Sequence, residues 1–395
     1  MPLRRVYIDH NATTPLAPEV VQAMMPFLTE AYGNASSIHS WGQRARAAVE
    51  QARRQVAALI GAREKEVVFT SGGTEADNLA LRGVMGAAGR PHPHVVTTTI
   101  EHHAVLNTCQ ALEAEGVRVT YVSVSAQGVV NPEDIRRALT PETVLITVMH
   151  ANNELGTVQP IAEIARMARE RKIAFHTDAV QSVGKLPLDV KALGVDLLSL
   201  SAHKLYGPKG VGALYVRRGL RLKPLFFGGH HERDRRPGTE NVAGIVGFGA
   251  AAELARQRRE EEAERLAKLR DQLERSILER VSHASVNGGG APRTPNTTNI
   301  YFDFVEGEAL VIALDLKGIA CSTGAACSAG AVEPSHVLSA IGLPAERARA
   351  SMRFSLGRQT TREEIDYVAE MLPGAVEHLR ALSPLYKKPV GAGTR

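Results

Sequence analysis

The run SLSAHKLYGPKGVGALYV, residues 199–216, decides how this chain is read. A short apolar strand ends in a small hydroxyl residue, a histidine and Lys204; Gly207-Pro208 then turns the chain into a second apolar run. Upstream, FHTDAVQ (175–181) sets Asp178 at the end of another apolar segment. A lysine amine that captures an aldehyde and a carboxylate that holds a ring nitrogen are the two groups pyridoxal phosphate requires. By itself Lys204 reads as a surface lysine closing a strand. With Asp178 and the strand ends described below, the Schiff-base reading prevails.

Outward from this run, strand and helix signals alternate between about residues 56 and 216. VVFT (67–70), HVVTTTI (94–100), VRVTYVSV (117–124), TVLITVMH (143–150), IAFHTDAV (173–180) and VDLLSLSA (195–202) read as short buried strands. Helical spacing of apolar residues appears between them, in TEADNLALRGVM, EHHAVLNTCQALEAEG and PIAEIARMARERK (160–172). The alternation predicts an α/β fold with a large, mostly parallel sheet. Composition shifts near 250. RQRREEEAERLAKLRDQLERSILERV (256–281) predicts a long charged helix between domains, NGGGAPRTPN (287–296) a loop and NIYFDFV (299–305) a strand. A helix from Glu308, the strand GIACS and a helix from Thr361 complete a smaller α+β domain, and the tail from 386 reads as a frayed end. The expected division is 16–250 for the large domain, and 1–15 with 251–395 for the small one, which carries a mobile cysteine loop.

The bulk numbers narrow the function. With 395 residues, 44% hydrophobic and 23% charged, the chain has the make-up of a soluble globular protein of two or three domains. A net charge of +5 with RDRR (233–236) as the densest basic cluster is no nucleic-acid footprint. Three cysteines without CxxC make no disulfide framework and point to a reducing compartment. MPLRRVYIDHNATTP lacks the apolar stretch of a signal peptide, and VAGIVGFGAAAELA (242–255) is too short and too broken by glycine to span a bilayer, so a cytoplasmic protein free of membrane is expected. His92/His94 and His230/His231 have no matching ligand pattern, and no metal site is expected.

Polar residues follow several of the strands. SGGTEADN (71–78) opens a helix; glycines and Thr74 suit a phosphate at a helix start, although an isolated SGGT is equally an N-cap loop. His103 begins the next helix, placed either to stack on a flat ring and pass protons or to make a local hydrogen bond. His102 should point elsewhere. Asn153 in HANNELG and Gln181 in DAVQSVG could donate to a phenolic oxygen or cap their loops. Arg353, in the alternating run ASMRFSLGR (350–358), could grip a carboxylate by two parallel bonds. Cys327 sits in STGAACSAGAVEPSH (322–336), a segment of small residues that could carry a nucleophilic thiol. Cys109 and Cys321 read as packing.

These stretches, with YIDHNATTP (7–15), YGNASSIH, NNELG, GGHHERDRRPGTEN and SLGRQTTREEID (355–366), resemble the cysteine desulfurases, class-V aminotransferase-like enzymes of the iron–sulfur cluster assembly type. The resemblance covers nearly the whole chain. It implies a fold type I pyridoxal 5′-phosphate enzyme acting as a homodimer on L-cysteine. Lys204 would bind the cofactor's aldehyde and move the α-proton, Asp178 would pair with the ring nitrogen, and His103 would stack on the ring and shuttle a proton. Gly73, Thr74, Ser201 and His203 would hold the phosphate, with Thr239 reaching the phosphate of the neighbouring subunit. Asn153 and Gln181 would contact the ring oxygen, and Asn153 and Arg353 the substrate. Cys327 would take the sulfur as a persulfide, leaving alanine, for transfer to a scaffold or carrier protein in cluster assembly or tRNA thiolation.

Ala35 and Ala325 replace a proline and a serine usual in the family, and Cys321 is an extra thiol, read as packing and not as a sulfur relay. A selenocysteine lyase or related β-lyase and a non-catalytic sulfur-transfer scaffold are the competing readings. Retention of Lys204, Asp178, His103 and Cys327 together weighs against the scaffold.

Overall fold

The computed structural model describes residues 4–323, 334–384 and 386; Cys327, Ala325 and the tail from 387 lie outside them. Strand β1 (Val6–Tyr7) starts the chain and leads into the strands of the main sheet. These are β2 (Val67–Thr70), β3 (His94–Thr98), β4 (Arg118–Val122), β5 (Thr143–Thr147), β6 (Ala174–Asp178), β7 (Leu197–Ser201) and β8 (Gly212–Val216). Among the described residues they form a seven-stranded sheet in the order β2-β8-β7-β6-β5-β3-β4. Only β8 runs against its neighbours β2 and β7. The reason is local: the tight turn after Lys204 returns the chain beside β7, whereas the helices between the other strands act as parallel crossovers. Every residue of β2, β3, β7 and β8 is buried, as in a sheet covered on both faces. At the sheet's edge, β4 begins with exposed Arg118 and buries only Val122 fully.

A second, antiparallel sheet has the order β12-β10-β9, with β9 (Ala284–Val286), β10 (Thr297–Phe302) and β12 (Ser351–Ser355). Between β10 and β12 in sequence, β11 (Ile319–Ala320) pairs in parallel with β1. One apolar core gathers Val49, Phe69, Phe175, Leu198 and Phe248 around the main sheet. Another gathers Ile8, Leu273, Ile300, Phe302, Phe354 and Leu372.

The long helix differs from the sequence expectation. It runs unbroken over Val242–Arg280, 39 residues, and takes in the glycine-rich stretch before 256. The glycines allow contact instead of breaking the helix: a Cβ on Gly247 would meet Met24 Sδ at 2.5 Å, and one on Gly249 would meet Ala52 Cα at 2.6 Å. Met24 and Ala52 lie on the helices Pro18–Thr29 and Ser40–Leu59, which sequence reasoning did not place. Ile245, Phe248 and Ala252 bury into the first core, and Leu266, Leu269, Leu273 and Ile277 into the second. Residue 250 lies inside this helix. The strand expected over 299–305 ends at Phe302, because the chain turns there and Phe304 takes a positive φ of 68°.

Candidate active site

Parallel strands release their chains at one edge of the sheet, and that edge is where ligands bind in open α/β folds. Strand β7 ends there in a single helical turn, Ala202–Lys204. The Lys204 ammonium donates to the carbonyls of Asn11 and, at 2.8 Å, of Ala12. One strand across, Asp178 closes β6 in register with Ser199 of β7. Asp178 is buried and its Oδ1 accepts one bond, from the Val180 N–H at 2.9 Å. Burial pushes this carboxyl up, against the pull of the Val180 N–H and of Lys204. A cationic N–H facing it would restore the carboxylate.

Beyond β3, His103 is the first residue of the helix His103–Ala114, and His102 caps that helix by accepting from the Ala104 N–H at 3.0 Å. His102 is thus engaged in a local cap. The His103 ring packs on His336, centroid to centroid 4.7 Å. Burial and His336 hold the His103 imidazole below its ordinary value, while Glu154 pulls it up.

The helix Gly73–Ala87 starts in a tight cradle. A Cβ on Gly73 would lie 2.9 Å from Val180 Cγ2, and one on Gly212 would lie 2.6 Å from the Gly72 backbone. The glycines therefore let the helix start sit against β8 and the segment after Asp178. First-turn N–H groups and the helix dipole favour an anion at such a place. Thr74 is exposed in this turn, Ser201 is buried at the end of β7, and His203 Nδ1 lies 3.1 Å from Thr13 Oγ1. Thr239 is exposed, on a segment tied to the same helix start by the Arg236–Glu75 ion pair at 2.9 Å.

Gln181 donates to the Asn11 carbonyl at 2.9 Å and accepts from Lys185 at 3.1 Å. The Asn153 carbonyl accepts from Arg353 Nη1 at 3.1 Å, and Arg353 Nη2 pairs with Asp9 at 2.8 Å. Arg353 is thus buried and oriented at the same edge from the second sheet. Its neighbour across a β-bridge is Ser322, and Ser335 Oγ donates to Glu154 at 2.6 Å. Ser322 and Ser335 therefore lie beside Arg353 and Glu154. Burial pushes the thiols of Cys109 and Cys321 up to about 12, which makes both inert.

Several polar residues at this site escaped sequence reasoning, among them Asn11, Lys185, Asp77 and Glu101. Asn11 gathers Lys204, Lys185 and Gln181, but nothing in HNATT signals a contact so distant in sequence. Lys185 is enclosed, and burial pushes its amine down to about 7. Asp77 and Glu101 are buried acids. Asp77 had a signal: it interrupts the buried stripe Ala76, Leu79, Ala80 and Val84 of its helix.

Comparison with known proteins adds the family. The aminotransferase class-V family model matches residues 6–368. The cysteine desulfurase IscS of Dictyoglomus turgidum is 51% identical over 385 residues, covering 98% of each chain. The chain belongs to the cysteine desulfurases. A solved NifS-like protein superimposes on this desulfurase with a TM-score of 0.89 at 37% identity, covering 95% of this chain and all of that one (100%). The structure described as SspA in complex with cysteine does so with a TM-score of 0.79 at 39% identity, covering 89% and 98%. The expected α/β architecture is the one observed. Cysteine desulfurases of this family are pyridoxal phosphate enzymes, and this desulfurase fits that cofactor in its own residues. The glycine cradle suits a phosphate, and the buried Asp178 and the Lys204 amine lie at adjoining strand ends beside it.

Proposed function

We propose that this cysteine desulfurase converts L-cysteine to L-alanine and passes the sulfur, as a persulfide on Cys327, to an acceptor protein of iron–sulfur cluster assembly. What carries the reading is the register of Asp178 with Ser199, which brings a buried acid and the Lys204 turn to adjacent strand ends in a chain of this family. Bound pyridoxal phosphate supplies an aldehyde for the substrate amine and a ring that accepts the electron pair left by the α-proton. Gly73, Thr74, Ser201 and His203 would hold its phosphate, Asp178 would pair with the ring nitrogen, and Asn153 and Gln181 would contact the ring oxygen. His103 would stack on the ring and accept or return a proton at its imidazole. Lys204 moves the α-proton of the substrate at Nζ. Arg353, oriented by Asp9, binds the substrate carboxylate together with Asn153.

Cys327 completes the balance. Its thiolate attacks the substrate sulfur, the carbon–sulfur bond breaks and the sulfur–sulfur bond forms. The substrate carbon takes a proton, so that one cysteine and one thiol become one alanine and one persulfide. The test is L-cysteine with the holoenzyme: Cys327→Ser keeps the bound cofactor yet forms no protein persulfide. Full persulfide transfer by that variant would exclude Cys327, and release of free selenide or sulfide without need of Cys327 would favour the lyase reading.

A second copy of the chain is the expected partner. Tyr32 and Trp41, in ring contact at 5.2 Å, and Ile38 and Phe227, about 90% exposed, form apolar surface that supports burial in a homodimer. Thr239 then reaches the phosphate of the partner subunit. Light scattering gives the mass, and mixing Lys204→Ala with Thr239→Val chains tests the shared site by recovery of activity. No described helix is long and apolar enough to cross a membrane.

A further inference from the structure

His336 lies outside every role assigned above, yet it makes the ring contact with His103. The two rings lie 4.7 Å apart between centroids, tilted by 52°. His336 is fixed from its far side, since Nε2 lies 2.9 Å from the Glu101 carbonyl oxygen. A carbonyl only accepts, so that nitrogen carries the hydrogen, and the remaining basic atom is Nδ1. Glu101 is itself tied in place by hydrogen bonds: both carboxyl oxygens accept from the Met149 N–H at 3.0 Å, and Oε1 accepts from Thr98. His336 is therefore held on an anchored support.

We propose that His336 is a positioning residue for His103, holding its ring in one orientation and competing with it for a single proton. This rests on the reading of His103 as the residue over the cofactor ring. Two imidazolium rings in contact repel, so the pair takes up its first proton and resists a second. An uncharged His103 can accept a proton and lies against a cationic ring without repulsion. Burial also pushes both imidazoles below their ordinary value. The other titratable groups facing His103 do not reverse this. Glu154 favours its protonation, whereas His102, 6.4 Å away between centroids, is itself held neutral by burial and Lys204.

The experiment is a pH titration of the holoenzyme labelled with 13Cε1-histidine, with His103 assigned through His103→Asn. His336→Gln removes the competing base and keeps a donor for the Glu101 carbonyl, so it decides the matter. His336→Phe replaces it if the glutamine variant does not fold. The expected result is a rise of about 3- to 10-fold in the proton affinity of His103, with the acid limb of the rate moving to higher pH by the same factor. A change below about twofold in that affinity overturns the proposal. The resonance is read without turnover. If His103→Asn left cofactor spectrum and rate unchanged, the ring-stacking reading would fall, and the titration would still report whether the two histidines compete.

Discussion

Asp77 Oδ1 lies 3.6 Å from His176 Nε2, with both side chains buried. His176 has its ring nitrogens on Thr147 Oγ1 at 2.8 Å and Ser199 Oγ at 3.0 Å, and burial pushes it down to about 3. Burial, and then the charge of Asp178, push the Asp77 carboxyl well up. Of the two neighbouring acids, Asp77 should be the one that holds a proton more firmly. Asp77→Asn, neutral and of the same shape, should change stability at pH 7 by less than about 1 kcal/mol. It should also remove one protonated-carboxyl band from the infrared spectrum. Loss of several kcal/mol, with the band unchanged, would show that Asp77 is ionised.

Glu101 gives the fold a dependence on pH. Burial raises its carboxyl from an ordinary 4.5 to about 8, against the bonds from Thr98 and Met149. The folded protein binds the extra proton, so this stability is complete below pH 4.5 and is lost as pH rises through 8. The slope is about 1.4 kcal/mol per pH unit across that window. Glu101→Gln should flatten it. Denaturation measured at several pH values reads the difference, and an unchanged slope would assign the dependence elsewhere.

Arg53 and Glu232 make a bidentate pair, both contacts 2.7 Å, with each side chain 4% exposed. Glu232 also accepts from the Phe69 N–H at 3.0 Å, fastening its loop to β2, and it sits at a positive φ of 46°. Removing one partner strands a buried charge, so Arg53→Met should cost about 3–5 kcal/mol. The double change Arg53→Met with Glu232→Leu should recover most of that. A single variant melting like the parent would contradict this.

The thiols should separate under alkylation. With Cys109 and Cys321 buried and pushed up to about 12, native protein treated with iodoacetamide at pH 8 should be modified at Cys327 alone. Peptide mass analysis shows which cysteines carry the adduct. Cys321→Ala should retain persulfide formation, and its failure would revive a relay.

Much of this was legible in the sequence because it is local. Short buried apolar runs gave β2, β3 and β5 to β7, and the polar residue closing each run marked the site edge at Asp178 and Lys204. Thr361 was legible as a helix cap, since its hydroxyl accepts from Glu364 and the Glu364 side chain returns to the Thr361 N–H. Contacts across long sequence separations were not. The gathering of Asn11, Lys185 and Gln181, and the meeting of His103 with His336, depend on how distant elements pack. Gly247 and Gly249 misled for a related reason: a glycine that lets helices touch looks in sequence like one that ends a helix.

The helix Val242–Arg280 is a single rod of 39 residues, about 58 Å at 1.5 Å per residue. Because one end is embedded beneath the main sheet and the other beneath the antiparallel one, neither half can melt without fraying the shared shaft. Heating should therefore register as one sharp calorimetric event. Proteases should find no early nick near its middle, and severing the rod there should cost both ends their order.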